Sequence, residues 1–220
     1  MIARLALASS ALLLASGAPL DERPAPNEPT VAPPAAAAPA SAPALEVFMT
    51  VAEALELAYP DCDIEKQTVY LTEEQRKRVE KLYGAKLKSG IARPYIATRS
   101  VEGSDEKQLV GYAWFDTHRV RTHKESIMVA VDPKGELQRI ELLAFGEPRE
   151  YIPAPKWYAL FVGATLGEEL RVGRRIRPIS GATLTVVGTT EGARRSLALQ
   201  SVLFPAPEPE PAEKTPAPTR

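Results

Sequence analysis

Cysteine and histidine are nearly missing from this chain: Cys62 is the only cysteine, and His118 and His123 are the only histidines, in 220 residues. A single cysteine excludes an internal disulfide, a Cys-x-x-Cys metal knuckle and a Cys-x-x-Cys-His haem attachment site. Cys62 follows the apolar helix pattern Val51, Leu55, Ala58 and reads as a packed residue with no chemical role. The odd spacing of the two histidines sends them to opposite faces of a strand, which disfavours a shared metal. Neither histidine has an evident carboxylate to orient it, and Pro178 stands where a nucleophile elbow needs glycine. A hydrolase built on Ser180 is therefore disfavoured. Charge of one sign is also missing: the formal net charge of −1 gives no reason to expect nucleic acid or an anionic membrane surface as partner. There is no internal repeat and no apolar run approaching the roughly 20 residues that a membrane-crossing helix needs.

Proline is abundant but unevenly placed. Fourteen of the 21 prolines precede Leu45 or follow Phe204. The sequence thus divides into a leader (1–18), a Pro/Ala-rich linker (19–45), one folded domain (46–204) and a Pro/Glu tail (205–220). The leader has an early cation at Arg4, an apolar stretch from Leu5 to Leu14 and the small residues Ser16-Gly17-Ala18, the pattern of a cleaved export signal. This predicts a periplasmic or otherwise extracytoplasmic protein. With no twin arginine, the chain is expected to cross as an unfolded thread. A loosely held cofactor would then have to be captured after export, which favours a covalent one. Linker and tail cannot bury enough apolar area to fold and are expected to act as extended arms.

Inside the domain, Thr50 can cap a short helix through Leu57, stopped by Pro60. Thr72 with Gln75 forms a capping box for a second helix through Leu82, with Gly84 past its end. Tyr95–Thr98, Leu109–Phe115, Val120, Ile127–Val131 and Leu137–Phe145 have strand composition, and Asp132-Pro133-Lys134-Gly135 supplies a hairpin turn. Trp157, Leu160 and Phe161 predict a short helix after Pro155, and Glu191–Leu203 an amphipathic helix burying Ala193 and Leu197. Helices on either side of a run of strands predict a single α+β domain with a twisted antiparallel sheet.

The most informative residues are Ser180-Gly181-Ala182-Thr183, set ahead of a helical pattern. Attaching a flavin phosphate requires a hydroxyl that an outside catalyst can reach, and the small neighbours Gly181 and Ala182 leave Thr183 open. The backbone N–H groups around Leu184 and Thr185, at the start of a helix, would face the phosphodiester charge. No histidine or carboxylate lies near Thr183 in sequence, so a separate flavin transferase would have to make the bond. Arg171, Arg174, Arg175 and Arg177 form a basic run that can neutralise a phosphate, receive an acidic partner, or simply be solvated. Tyr151 and Trp157 can stack on a flavin ring or belong to the core.

Residues from about Phe48 to Leu203 resemble the FMN-binding domain family. That family includes the flavin-carrying extracytoplasmic subunits of sodium-translocating NADH:quinone reductase and of Rnf-type complexes. The resemblance is carried by Ser180-Gly181-Ala182-Thr183-Leu184-Thr185, by Gly111-Tyr112-Ala113 before Asp116-Thr117-His118, and by Phe145-Gly146-Glu147-Pro148 running on to Trp157 and Phe161. It implies FMN transferred from FAD to Thr183, with Ser180, Gly181, Ala182, Leu184, Thr185, Arg177, Glu147, Tyr151 and Trp157 around it. It further implies an electron carrier, rather than an enzyme with its own substrate, that serves membrane-associated redox proteins. The chain departs from the family at Arg177, where an acidic residue is usual, and at Glu147-Pro148-Arg149-Glu150-Tyr151, which replaces a Glu-Thr-Pro-Gly-Leu-Gly loop. Arg177 can either impair recognition by the transferase or pair with the phosphate, and the altered loop points to a stand-alone carrier or a component of another envelope electron chain rather than a subunit of those complexes. A non-redox envelope module that uses the same domain for protein contacts is the alternative, and a flavin reductase with a small substrate a third.

Overall fold

A computed structural model describes residues 45–206. The expected leader, the linker up to residue 44 and the tail from residue 207 lie outside the described residues. Helix α1 (Val51–Ala58) opens with a capping box in which Thr50 Oγ1 accepts from Glu53 N and the Glu53 carboxylate accepts from Thr50 N. Helix α2 (Glu73–Tyr83) repeats the device with Thr72 and Gln75. It ends at Gly84, whose φ of +90° lies in the left-handed region that closes helices without steric cost.

The strands are β1 (Glu46–Val47), β2 (Asp63–Lys66), β3 (Val69–Tyr70), β4 (Ile91–Ala92), β5 (Tyr95–Ser100), β6 (Lys107–Arg119), β7 (Lys124–Val131) and β8 (Leu137–Phe145). Six of them form one antiparallel sheet in the order β1-β8-β7-β6-β5-β2, and β3 pairs with β4 in a small separate sheet. The predicted turn joins β7 to β8: Asp132 Oδ1 accepts from Lys134 N and Glu136 N, and Gly135 has a φ of +84°. Val120, expected in a strand, sits in the β6–β7 hairpin turn, donating its N–H to His123 O. The strands β1 to β4 were not expected; they are two to four residues long, too short for period-two patterning to register.

Alternation along the strands gives the sheet two apolar faces. On one, α1 packs Ala54, Leu55 and Tyr59 against Ala97, Ala113, Met128, Ala130 and Leu143. Gly111 is required there: a Cβ would lie 2.9 Å from the Tyr59 ring, whose hydroxyl donates to Tyr112 O at 2.7 Å. On the other face, Trp114, Ile127, Val129 and Val131 meet Trp157 and Phe161 from α3 (Pro155–Tyr158) and the 3-10 turn after it, together with Val186, Ala193 and Leu197 from α4 (Thr183–Leu203). The result is a single α+β domain. Helix α4 is longer than the pattern indicated and begins at the last residue of the tetrad. Its first half interleaves Thr185, Thr189 and Thr190 with Gly188, which breaks the apolar period while leaving those threonines buried.

Candidate functional site

The tetrad forms a tight approach to α4. Gly181 has a φ of +86° with nothing within 4 Å of a would-be Cβ, so the chain turns there into open space. Ala182 tucks into the core as the N-cap, supplying no side-chain hydrogen bond. Thr183 is therefore exposed, and its hydroxyl makes only a long 3.4 Å contact to Ile179 O. The first N–H in α4 to find a backbone carbonyl is that of Val186, on Ala182 O at 3.0 Å; those of Thr183, Leu184 and Thr185 have none among the described residues. Free N–H groups at the positive end of a 21-residue helix favour an anion.

The other residues implicated by the sequence are not all gathered here. Trp157 is buried against Tyr158 and Phe161, so its ring faces are taken by the core. Its indole N–H donates to Arg177 O at 2.8 Å and thereby positions the segment leading into the tetrad. In the basic run, Arg171 pairs with Glu168, Arg174 contacts Glu169, and Arg175 donates to Leu160 O and Val162 O. Arg177 is exposed and its guanidinium has no such partner among the described residues. Tyr151 closes a 3-10 turn, Arg149–Tyr151, and is half-buried. Glu147 grips the β6–β7 hairpin instead of the tetrad, accepting from His123 N at 2.7 Å and from the N–H and hydroxyl of Thr122. Burial opposes its charge, but these donors outweigh that and hold its carboxyl down to about 2. Gly146 before it is needed because a Cβ would lie 2.7 Å from His123 Cβ.

Beneath α4 lies a charged cluster that sequence reading missed. The expectation that neither histidine has an orienting carboxylate is wrong for both: His123 Nδ1 lies 3.5 Å from Glu147 Oε1, and His118 has its Nδ1 2.8 Å from Asp116 Oδ1 and its Nε2 2.8 Å from Glu125 Oε2. Arg195 of α4 bonds the far oxygen of Asp116, and the Thr189 hydroxyl donates to Glu125 at 3.1 Å. Burial alone would depress the His118 pKa, yet the two carboxylates raise it to about 9, so an imidazolium stands between them. Gly188 and Gly192 let the helix close over this cluster. A Cβ on Gly188 would meet His118 Nε2 at 2.6 Å, and one on Gly192 would meet Asp116 Oδ1 at 3.0 Å. The signal was present as Asp116-x-His118, on one strand face, with Glu125 directly opposite once the hairpin register is known.

Two buried hydroxyls, Thr185 Oγ1 and Tyr158 Oη, have no partner among the described residues. Leaving such a group unpaired costs about 1–3 kcal/mol, a deficit that a bound polar group can relieve. Thr185 is two positions on from Thr183 and faces the core, so its hydroxyl is turned away from that surface, and the donors left for a phosphate at Thr183 are three free amide N–H groups and the unengaged guanidinium of Arg177. Four surface clefts among the described residues lie elsewhere. The widest, about 640 Å³, is lined by α2–β4 loop residues, β6 and Arg195, and three others of about 330–380 Å³ also exclude the tetrad. Among the described residues no group of three or more His, Cys, Asp and Glu side chains is placed to hold a metal, and no helix is long and apolar enough to cross a membrane. No protein-family model matches the chain, and no curated protein matches it either.

Proposed function

We propose that this protein carries FMN in phosphoester linkage to Thr183 and serves as an electron-transfer module in an envelope redox chain, exported by its leader and matured by a separate flavin transferase. The observation that carries this is the exposed Thr183 hydroxyl at the uncapped start of α4, reached through an unobstructed left-handed glycine. An acceptor hydroxyl for another enzyme must stand clear of the fold, and this one does. The amide N–H groups of Thr183, Leu184 and Thr185 would receive the phosphate charge, and Arg177 is available to complete its neutralisation. Trp157 acts through its bond to Arg177 O, fixing the loop rather than touching the flavin. FMN supplies one- and two-electron chemistry when bound.

Thr183 is exposed, so a ring tethered to its hydroxyl would lie at the surface, which suits exchange with membrane-associated redox proteins more than turnover of an enclosed substrate. The experiment is coexpression with a flavin transferase and export of the full chain. The purified protein should stay yellow after denaturation, with a mass increase matching FMN that is absent from Thr183→Ala, while the variant keeps its far-ultraviolet circular dichroism. An unmodified wild-type mass under those conditions refutes the flavin function.

A further inference from the structure

The longest strand of the sheet has an edge that no described strand covers. Strand β5 starts at Tyr95, opposite Ala113, whereas β6 continues to Arg119. From Trp114 to Arg119, β6 therefore has β7 on one side and no strand on the other among the described residues. The bond from Val120 N to His123 O closes the hairpin, and β6 and β7 keep one register from Arg119↔Lys124 to Tyr112↔Val131. Because hydrogen-bonded pairs alternate along an antiparallel ladder, Trp114, Asp116 and His118 direct their backbone groups at β7. Those of Phe115, Thr117 and Arg119 point outward, and such unpaired edges add strands readily.

That edge forms one wall of the 640 Å³ cleft. Five cations line it: Lys66, Lys86, Lys88, Arg93 and Arg195, against one carboxylate, Asp116. Lys86 is spent on Glu80 and Arg195 on Asp116; Lys66, Lys88 and Arg93 have no carboxylate partner among the described residues. The chain itself contains a matching segment. Helix α4 ends where Phe204 stacks on Tyr112 at 4.6 Å and lies against Trp114, a residue of the cleft wall. The sequence that follows, Pro205-Ala206-Pro207-Glu208-Pro209-Glu210-Pro211-Ala212-Glu213, carries three carboxylates and no cation. Proline takes every second position. An edge strand needs inward N–H groups only at alternate residues, here Ala206, Glu208, Glu210 and Ala212, so each proline falls where no donor is wanted. Proline also biases the residue before it toward extended backbone.

We propose that residues 205–213 of this chain add to the free edge of β6, parallel to it, with Glu208 and Glu210 placed beside the unpaired cations of the cleft. The reach suffices: at roughly 3.3 Å per residue, Ala206–Ala212 extends about 23 Å, and Phe115–Arg119 about 17 Å. The outward prolines then leave no donors for a further strand, so the tail would block other chains from this edge. This docking does not depend on flavin attachment.

Amide hydrogen exchange of the full chain, resolved by residue, tests it. The amides of Phe115 and Thr117 should exchange about tenfold or more slowly than in Glu208→Lys/Glu210→Lys and in Glu208→Pro/Glu210→Pro, with Trp114 and Asp116, bonded to β7, unchanged as the internal control of folding. In Pro207→Ala/Pro209→Ala the protection should persist. Equal exchange of Phe115 and Thr117 in wild type and both glutamate variants overturns the proposal. Protection that grows with protein concentration also overturns it, because a second copy would then be the occupant.

Discussion

The buried imidazolium of His118 makes the protein's stability depend on pH in a window where few groups titrate. In the unfolded chain this ring has the ordinary pKa of 6.5; in the fold, burial works against protonation but Asp116 and Glu125 raise it to about 9. A group whose folded value lies above its unfolded one contributes stability fully below the unfolded value and loses it as pH rises through the folded value. The gap is about 2.5 units, and at 1.36 kcal/mol per unit the contribution is about 3 kcal/mol near pH 6, gone above about pH 9.5. The assay is urea unfolding of wild type and His118→Gln at several values between these limits. Groups shared by both proteins cancel in the difference, so the advantage of wild type over the variant should shrink by that amount across the window. Two results would refute the reasoning: a difference that does not change with pH, or a His118 Cε1–H resonance that titrates at or below 6.5.

Gly188→Ala forces a methyl within 2.6 Å of His118 Nε2, in a ring held on both sides, and should cost about 1–3 kcal/mol in chemical denaturation. Gly181→Ala meets no atoms and should cost only about 1 kcal/mol, from its positive φ; the reverse ranking would mean that α4 does not sit on the cluster as described. Glu147 has its carboxyl depressed from 4.5 to about 2, so its contribution is present above pH 4.5 and lost as pH falls through 2. Glu147→Gln should therefore lower the thermal midpoint at neutral pH, with the gap to wild type closing near pH 2.

Where the sequence was legible, the signal was local. The cap at Thr50, the capping box at Thr72, Gly84 and the Asp132–Gly135 turn are all made by residues within four positions of each other and are legible in the sequence, although the reciprocal Glu53 bond at Thr50 is not. The α+β class followed from the order of such elements. What escaped was long-range. Asp116, His118, Glu125, Thr189 and Arg195 come together only because β6 turns back as β7 and α4 crosses both. The beginning of α4 was obscured because its buried side there is polar, so no apolar period marks it. Of the site residues, Gly181 and Thr183 are exposed, whereas Ala182 between them is buried. Trp157 and Glu147 occupy supporting positions that required the tertiary path of the chain to discern.

Helix α4 touches the sheet through teeth that each fit one slot. Gly188 clears His118, Thr189 meets Glu125, Gly192 clears Asp116 and Gln200 accepts from the Trp114 indole, while Arg194 reaches aside to the loop carbonyls of Gly167 and Leu170. A greasy underside would tolerate sliding by a residue, whereas here a one-step slip would drive a methyl into the imidazole ring and strand every polar partner at once. The rod is thus indexed along its whole length, and the hydroxyl at its tip inherits a fixed address from matches made as many as seventeen residues downstream.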